Sequence, residues 1–198
     1  MKQFWNERYS EQEFVYGKEA NIFFAETISK LPVGKIILPC EGEGRNGVYA
    51  ASLGWEIYSF DSSEIAKTKA LKLCHEKKVN INYIIDDAEV INYSENSADV
   101  VAFIYAHFPA QNRKKIHQKA ISWLKPGGKI ILEAFNPMQL SNTSGGPKDI
   151  SMLYTEDMLR KDFEGMNIDL LQSTQTTLAE GKYHKGKADI IRLIATKK

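Results

Sequence analysis

Cysteine is scarce in this 198-residue chain, which holds only Cys40 and Cys74. Two thiols are too few for the disulfide framework of a small secreted protein or for a four-cysteine zinc site. Long apolar runs are also missing, since runs such as residues 100–106 are far shorter than the roughly 20 residues that cross a bilayer. Residues 1–10 lack the basic and then apolar pattern of a secretory signal. We therefore expect a cytoplasmic protein with no metal site and no membrane contact.

A charge excess of either sign is absent as well. The chain has 26 Lys plus Arg against 25 Asp plus Glu, a formal net charge of +1. Nucleic-acid binders usually carry a marked basic excess, so no nucleic-acid partner is expected. The basic run at residues 113–115 falls on a predicted helix, where a solvated face is a more common role than an RNA-binding patch. Hydrophobic residues make up 43%, enough for a sizeable core.

Apolar runs and helical patterns alternate along most of the chain. Strands are predicted over residues 35–38, 56–60, 81–85, 99–105 and 129–135. Helices are predicted over residues 19–30, 46–53, 62–78, 110–124 and 155–163, with Ser62 as an N-cap. This alternation predicts a parallel sheet with helices on both faces, an α/β fold in which residues 1–198 form a single domain. Two late strands, at 167–176 and 188–196, have no helix between them and predict a hairpin at an antiparallel edge.

A glycine-rich turn follows the first predicted strand. Gly42, Gly44 and Gly47 match the pattern G-x-G-x-x-G, and Asp61 ends the second predicted strand 19 residues after Gly42. Glycines let the backbone turn sharply and approach a ligand closely, and a carboxylate at the strand end can accept hydrogen bonds from two ribose hydroxyls. A tight strand-to-helix turn is the alternative explanation of the glycines. The position of Asp61 favours a binding site for an adenosine-type ligand.

The acids near this turn bear on the charge of the ligand. Glu41 and Glu43 would repel the pyrophosphate of a dinucleotide, whereas S-adenosylmethionine has no phosphate and carries an ammonium and a sulfonium. After the third predicted strand, Asp87 can accept a hydrogen bond from the adenine amine while Ala88 leaves space for the ring. A solvated turn is the alternative for Asp86 and Asp87. The charges favour S-adenosylmethionine as the cofactor.

Three motifs in the chain resemble those of class I S-adenosylmethionine-dependent methyltransferases. They are Gly42-x-Gly44-Arg45-Asn46, Asp61-x-Ser63 and Leu124-Lys125-Pro126-Gly127-Gly128. The first of them, together with Trp5-Asn6-Glu7-Arg8-Tyr9 and Tyr16-Gly17-x-x-x-Asn21, is similar to the branch that contains tellurite-resistance and thiopurine methyltransferases. The resemblance covers nearly the whole chain. It implies a Rossmann-like, seven-stranded, mostly parallel sheet of order 3-2-1-4-5-7-6 with the last strand antiparallel, and donor contacts from the first two motifs, including Asn46 and Ser62.

Two positions depart from the pattern of that family. Leu38 stands where the family usually has an acid, and Cys40 stands where it usually has its first glycine. We therefore hypothesise that Glu41 binds the methionine ammonium of the donor. Cys40 is interpreted as a packing residue rather than a nucleophile, because no cationic neighbour would lower the pKa of its thiol.

Methyl transfer from a sulfonium needs an acceptor held close to the methyl group in a dry pocket, often without a protein nucleophile. Tyr105 ends the fourth predicted strand, and its ring is expected against the donor, where it favours the sulfonium charge. His107 is the candidate general base because the ordinary pKa of histidine is near neutrality. A capping or structural histidine is the alternative for His107. His184 lies among charged residues and is interpreted as a surface residue.

Two segments are expected to cover the site. Residues 1–30 are predicted to form an N-terminal cap that also binds the acceptor, and an amphipathic helix packed on the sheet is the alternative. The long loop at residues 136–154 is predicted to lie on the substrate side. The side chains expected to contact the acceptor are Trp5, Arg8, Tyr9, Tyr16 and Gln139.

These patterns predict an S-adenosylmethionine-dependent methyltransferase that acts on a small-molecule acceptor. A nicotinamide-dependent oxidoreductase with the same glycine pattern is the rival enzyme. A non-catalytic regulatory protein that binds S-adenosylmethionine is the alternative that is not an enzyme. The departure from the family pattern at residues 38–40 favours this alternative. The protein is expected to be a monomer or a weak dimer.

Overall fold

The computed structural model describes residues 2–198, which contain a seven-stranded sheet and six α-helices. The strands are β1 (Lys35–Pro39), β2 (Glu56–Asp61), β3 (Asn82–Ile85), β4 (Ala98–Ile104), β5 (Leu124–Phe135), β6 (Asn167–Glu180) and β7 (His184–Thr196). The helices are α1 (Lys2–Tyr9), α2 (Ile22–Ile28), α3 (Arg45–Ser52), α4 (Glu64–Lys77), α5 (Ala110–Trp123) and α6 (Glu156–Asp162). Two short 3₁₀ helices, Pro137–Ser141 and Ile150–Met152, lie in the loop after β5.

The strand order is β3-β2-β1-β4-β5-β7-β6, which confirms the predicted topology. The first five strands pair in parallel, and β7 runs antiparallel to both β5 and β6. The antiparallel strand therefore lies inside the sheet, and the outermost strand is β6, whose direction matches that of β5. A hairpin that pairs through its second strand produces this arrangement.

Alternation of side chains along the strands divides the core between the two faces of the sheet. In β1, Ile36 and Leu38 pack against Phe24 and Ile28 of α2, whereas Ile37 belongs to the opposite cluster. That opposite cluster contains Ile116 and Ala120 from α5 and Leu159 from α6. Burial on both faces explains why β1 and β4 have continuous apolar sequences.

The strands of the hairpin are longer than the predicted ranges of 167–176 and 188–196. Pairing continues to Glu180 and His184, which are opposite each other at the end of the ladder. Apart from Leu178 and Ala179, the added residues are polar or glycine, so pairing with the partner strand determines their conformation more than the local pattern does. Ser63 rather than Ser62 is the N-cap of α4, because the Ser63 hydroxyl accepts from the Ala66 N–H at 3.1 Å.

This topology brings distant parts of the chain to one edge of the sheet. The carboxyl ends of β1 to β5 lie along that edge, and β7 begins there because it runs in the opposite direction. Ligands of open α/β sheets bind beyond the carboxyl ends of the strands. Among the helices of residues 2–198, none has the length and apolar character needed to cross a bilayer.

Candidate functional site

A cavity of about 400 Å³ lies at the carboxyl edge of the sheet. Its walls come from the glycine turn, the ends of β2 to β5, the N-terminal segment and residues 146–152. The predicted site residues on its wall are Trp5, Arg8, Tyr9, Tyr16, Glu41, Gly42, Asn46, Asp61, Ser62, Asp87, Ala88, Tyr105 and His107. The tertiary structure therefore brings most of the predicted residues together, and Gly44 and Gln139 lie elsewhere.

Gly42 connects the glycine turn to the end of β2. Its φ is +62°, and a Cβ atom there would lie 2.6 Å from the hydroxyl of Tyr9. Its N–H donates to Asp61 Oδ2 at 3.1 Å, and its carbonyl accepts from the Tyr83 hydroxyl at 2.6 Å. Both the backbone conformation and the close contact require glycine at this position.

Gly44 does not line the cavity, and its predicted role in cofactor binding stays a prediction. It is the N-cap of α3 with a φ of +86°, and a Cβ atom there would lie 2.6 Å from the Cβ of Ala70. The missing side chain therefore allows α3 to pack closely against α4.

Glu41 caps the N-terminus of α3 from the turn before it. Its Oε1 accepts from the Gly47 N–H at 2.7 Å, and its Oε2 accepts from the Asn46 side chain at 3.3 Å. The Oδ1 of Asn46 accepts in turn from the Asn21 N–H at 2.9 Å. Burial raises the pKa of Glu41 to about 7, although these hydrogen bonds oppose the rise. The hypothesis that Glu41 binds an ammonium stays a prediction.

Asp61 is held rigidly at the end of β2. Its two oxygens accept from the N–H groups of Gly42 at 3.1 Å and Ser63 at 2.9 Å. Burial raises the pKa of Asp61 to about 6, and these main-chain hydrogen bonds partly oppose the rise. A carboxylate has about four lone-pair sites, so acceptor capacity remains on the cavity side. Asp87 and the buried Ala88 line the same wall after β3.

The N-terminal segment is fixed to the turn by one buried ion pair. Lys69 of α4 lies 2.5 Å from Glu43 Oε1 and donates to the carbonyl oxygens of Tyr9, Glu11 and Glu13. Glu43 also accepts from two N–H groups of the segment, those of residues 15 and 16. Lys69 therefore balances the negative charge of Glu43, and Glu43 anchors the N-terminal segment above the cavity.

Aromatic side chains of that segment form one wall of the cavity. Trp5 stacks on Tyr9 with ring centroids 5.5 Å apart, and Tyr9 contacts Tyr16 edge to face at 6.3 Å. Arg8 donates to the Tyr16 hydroxyl at 3.3 Å and lies 3.9 Å from the ring centroid of Tyr183. The segment contains a helix, as the alternative interpretation required, and it also reaches the cavity.

The contacts of His107 do not favour its predicted role as general base. Its Nδ1 lies 2.6 Å from the carbonyl oxygen of Met152, and its Nε2 accepts from the Phe135 N–H at 3.2 Å. Burial lowers the pKa of His107 to about 4. Because main-chain groups occupy both ring nitrogens, no lone pair is free to take a proton from an acceptor.

Gln139 does not line the cavity, and its predicted contact with the acceptor stays a prediction that its hydrogen bonds do not favour. The side chain is buried and donates to Ser144 and Gly145, both at 3.0 Å. Its oxygen accepts from the Asp189 N–H at 2.9 Å. Gln139 therefore attaches the loop after β5 to β7, and other loop residues, among them Gly146 and Met152, line the cavity.

The sequence predicts a surface position for His184, but its side chain is only 7% exposed and lies on the cavity wall. Its Nδ1 lies 3.1 Å from Glu180 Oε2, which also accepts from Arg45 at 2.9 Å. Burial alone would raise the pKa of Glu180, but the hydrogen bonds from His184 and Arg45 and the charge of Arg45 lower it to about 2. The charged residues near His184 in the sequence predict an exposed turn, so the burial of its side chain is not expected.

Glu133 is a second residue that the sequence interpretation missed. It is buried in β5 and accepts from the Tyr105 hydroxyl at 2.8 Å and from Asn21 at 2.6 Å, and its other oxygen accepts from Arg192 at 2.6 Å. Tyr105 has a φ of +54°, and its N–H donates to the Glu133 carbonyl at 2.7 Å. A lone acid within the apolar run 130–135 is a signal that could have identified Glu133.

Residues 38–128 match the family model of a methyltransferase domain. The chain is 24% identical over 135 residues to a demethylmenaquinone methyltransferase of Renibacterium salmoninarum, a match that covers 68% of this chain. The chain spans about half the length of that relative, 52%.

Solved structures show the same fold. TehB from Haemophilus influenzae superposes with a TM-score of 0.74 and 16% identity, covering 100% of this chain and 67% of that chain. Magnesium protoporphyrin IX methyltransferase from Synechocystis PCC 6803, solved with bound S-adenosylmethionine, superposes with a TM-score of 0.71 and 16% identity, covering 100% and 95%. The protein thus has the Rossmann-like fold of class I methyltransferases.

Proposed function

We propose that this protein is an S-adenosylmethionine-dependent methyltransferase that acts on a small molecule. The observation that carries the proposal is the capping of α3 by Glu41, whose carboxylate accepts from the Gly47 N–H at 2.7 Å. The N-terminus of this helix is where a dinucleotide places its pyrophosphate. A carboxylate in that position disfavours a phosphate and leaves an adenosine derivative without phosphate as the ligand that suits the turn.

The donor is proposed to lie along the ends of β1 to β4. Asp61 would accept from the two ribose hydroxyls, because its main-chain contacts hold it in place and leave acceptor capacity free. Asp87 would accept from the adenine amine, and the small Ala88 lies next to it on the wall. The ring of Tyr105 would lie near the sulfonium at the end of β4.

The acceptor is proposed to enter beside the N-terminal segment. Trp5, Arg8, Tyr9 and Tyr16 line that side of the cavity, opposite Gly146 and Met152 of the loop after β5. S-adenosylmethionine supplies an electrophilic methyl group, and the walls would exclude water and orient the acceptor. A cavity of about 400 Å³ favours a small acceptor over a macromolecule.

Within the fold, we place the chain in the branch that contains tellurite-resistance and thiopurine methyltransferases. The support for this is the Gly-Glu-Gly-Arg-Asn motif at residues 42–46 and the two N-terminal motifs. Asn21 of the second motif connects Asn46 to Glu133 across the sheet edge.

Calorimetry with purified protein tests the proposal. We expect S-adenosylmethionine and S-adenosylhomocysteine to bind, and NAD to give no heat at the same concentrations. A panel of thiols, phenols, amines and chalcogen oxyanions should then include an acceptor that yields S-adenosylhomocysteine. Binding of NAD alone would establish the rival oxidoreductase. Donor binding with no product from any acceptor would favour the non-catalytic alternative.

A further inference from the structure

One nitrogen of His184 is unused by the protein. Its Nδ1 contacts Glu180, and its Nε2 has no hydrogen-bond partner within residues 2–198. The unpartnered polar side-chain atoms that are sealed from solvent in this range are Ser59 Oγ and His117 Nε2. The Nε2 of His184 is therefore accessible, and the residue lines the cavity. His107, whose two nitrogens both contact the main chain, has no such free atom.

The partner of His184 determines which nitrogen carries the proton. Glu180 is held ionised by Arg45 at 2.9 Å, and an ionised carboxylate only accepts hydrogen bonds. The Nδ1 of His184 must therefore donate to Glu180, which leaves a lone pair on Nε2 of the neutral ring. A carboxylate behind an imidazole is the arrangement that orients a histidine base and stabilises the imidazolium it becomes.

The fold puts this lone pair on the acceptor side of the cavity. His184 is the first residue of β7, so it lies beside the ends of β4 and β5, away from Asp61 at the end of β2 and Asp87 after β3. Its ring centroid lies 4.5 Å from that of Tyr105 and 4.6 Å from that of Tyr16.

Gly145 leaves the ring edge of His184 uncovered. A Cβ atom at Gly145 would lie 2.8 Å from Cδ2 and 3.3 Å from Nε2 of His184, closer than side chains normally approach. Any residue larger than glycine would therefore crowd Nε2. The two flexible residues Gly145 and Gly146, both with positive φ, carry the chain past the imidazole without a side chain over it.

We propose that His184 is the general base of the reaction and that the acceptor is a neutral small molecule with an O–H or S–H group. This inference rests on the proposed methyltransferase function and specifies its acceptor. The acceptor proton moves to Nε2 of His184, and the electron pair of the O–H or S–H bond forms the new bond to the methyl carbon. The carbon–sulfur bond of the donor breaks, and its electron pair returns to sulfur. The positive charge of the sulfonium thus ends on an imidazolium beside Glu180.

The charged and titratable groups around His184 come from several elements. Those that face it are Glu180 of β6, Arg45 of α3, Glu133 of β5, His107 and Tyr105 after β4, and Tyr16 of the N-terminal segment. Burial lowers the pKa of His184, and the hydrogen bond and charge of Glu180 partly offset this effect. The ring is thus neutral and able to accept a proton at pH 7, and activity should fall as the pH drops below the pKa of His184.

Replacement of His184 by asparagine tests the base. His184→Asn keeps a side-chain N–H for Glu180 and removes Nε2, and His75→Asn, at an exposed histidine of α4, is the matched control. Phenol and pentafluorophenol serve as acceptors of similar size, since the first is neutral and the second already an anion at pH 7.5. Benzyl mercaptan and pentafluorothiophenol form the corresponding thiol pair. We expect His184→Asn to lower kcat with the neutral acceptor by about 10²- to 10⁴-fold and with the anion by less than about threefold.

A measurement without an acceptor tests the same assignment. Nitrogen-15 NMR of the imidazole rings should show His184 neutral at pH 7 with its proton on Nδ1, and Glu180→Gln should change that signal. His184→Asn should bind S-adenosylmethionine with an affinity within about twofold of wild type. In wild type the rate with phenol should rise to a plateau with pH, and in the variant this rise should vanish.

Several results would overturn the inference. A proton on Nε2, an imidazolium at pH 7, or equal losses with the neutral and the ionised acceptors would each exclude His184 as the base. Methylation of tellurite or pentafluorophenol but of neither neutral acceptor would exclude the acceptor class. Failure to bind S-adenosylmethionine would instead refute the proposed function, while the NMR result would still report on His184.

Discussion

At the scale of single residues, Asp61 is the side chain on which donor affinity should depend. Asp61→Asn replaces one acceptor oxygen by an N–H₂ group, so hydrogen bonds to the ribose and to main-chain N–H groups are lost. Hydrogen bonds to a charged group are worth about 1.5–3 kcal/mol each, and we expect S-adenosylmethionine to bind at least about tenfold more weakly. Calorimetry measures this. Asp99→Asn, at the opposite end of the sheet, is the control, and an unchanged affinity in Asp61→Asn would contradict the ribose contact.

The raised pKa of Asp61 makes donor binding depend on pH. The pKa is about 6 because of burial, so the carboxyl is mostly ionised at pH 7 and mostly protonated at pH 5. Only the ionised form accepts from both ribose hydroxyls, and affinity should fall by about tenfold between pH 7 and pH 5. Titrations at several pH values check this, with Asp61→Asn as the reference whose profile should be flatter. Tighter binding of S-adenosylmethionine at pH 5 than at pH 7 would exclude protonation of Asp61 as the cause.

The same ionisation has the opposite effect on folding. An acid whose pKa is raised in the folded state binds its proton more tightly there than in the unfolded chain. Asp61 and Glu41 both have raised pKa values, about 6 and about 7. Their contribution to the free energy of unfolding is therefore larger below pH 4 and is lost as the pH rises through 6 to 7. Donor binding and the free energy of unfolding should thus respond to pH in opposite directions at Asp61.

At the scale of secondary-structure elements, Gly44 is required because α3 packs closely against α4. Gly44→Ala requires a left-handed backbone and brings Cβ within 2.6 Å of Ala70, whereas Gly127→Ala has a φ of +79° and open space around Cβ. Gly127→Ala should lower the free energy of unfolding by about 1–2 kcal/mol, and Gly44→Ala should lower it by roughly 1–3 kcal/mol more. Urea unfolding measures both. Equal losses would show that the contact with Ala70 is unimportant.

The attachment of the N-terminal segment depends on Lys69. Lys69→Met keeps most of the chain length but leaves Glu43, whose side chain is 2% exposed, without its cation. Breaking a buried ion pair costs about 3–5 kcal/mol, and we expect the backbone amides of residues 2–17 to exchange with solvent at least about tenfold faster. Lys72→Met on the exposed side of the same helix is the control. Unchanged exchange in Lys69→Met would show that aromatic packing alone holds the segment.

At the scale of the whole molecule, one cavity shared by five strand ends and the N-terminal segment should couple donor binding to global stability. S-adenosylmethionine at about 100 times its Kd should add about 2.7 kcal/mol to the free energy of unfolding. For a chain of this size the Tm should rise by about 5–10 °C. Thermal unfolding followed by circular dichroism measures the shift. NAD at the same concentration should leave Tm unchanged, and a rise with NAD would favour the rival oxidoreductase.

Several features of the fold depend only on residues that are close together in the sequence. The strand positions, the glycine turn and the acids at the ends of β2 and β3 follow from apolar runs and turn residues, which act over a few neighbouring positions. The additional length of the hairpin does not, because residues 177–180 and 184–187 are mostly polar and become strand only by pairing with each other. The attachment of Gln139 to β7 is not predictable for the same reason, since its partner Asp189 is 50 residues away.

The sequence by itself determined the α/β architecture, the glycine turn and the acidic strand ends, because each depends on the residue types of a short segment. Only the tertiary structure decided which histidine has a free nitrogen in the cavity. His107 has both nitrogens bound to main-chain groups that are 28 and 45 residues distant, whereas the reversal of β7 brings His184 to the carboxyl edge. Such long-range pairing leaves no trace in the local pattern, so the chemistry of the site is decided when the sheet assembles.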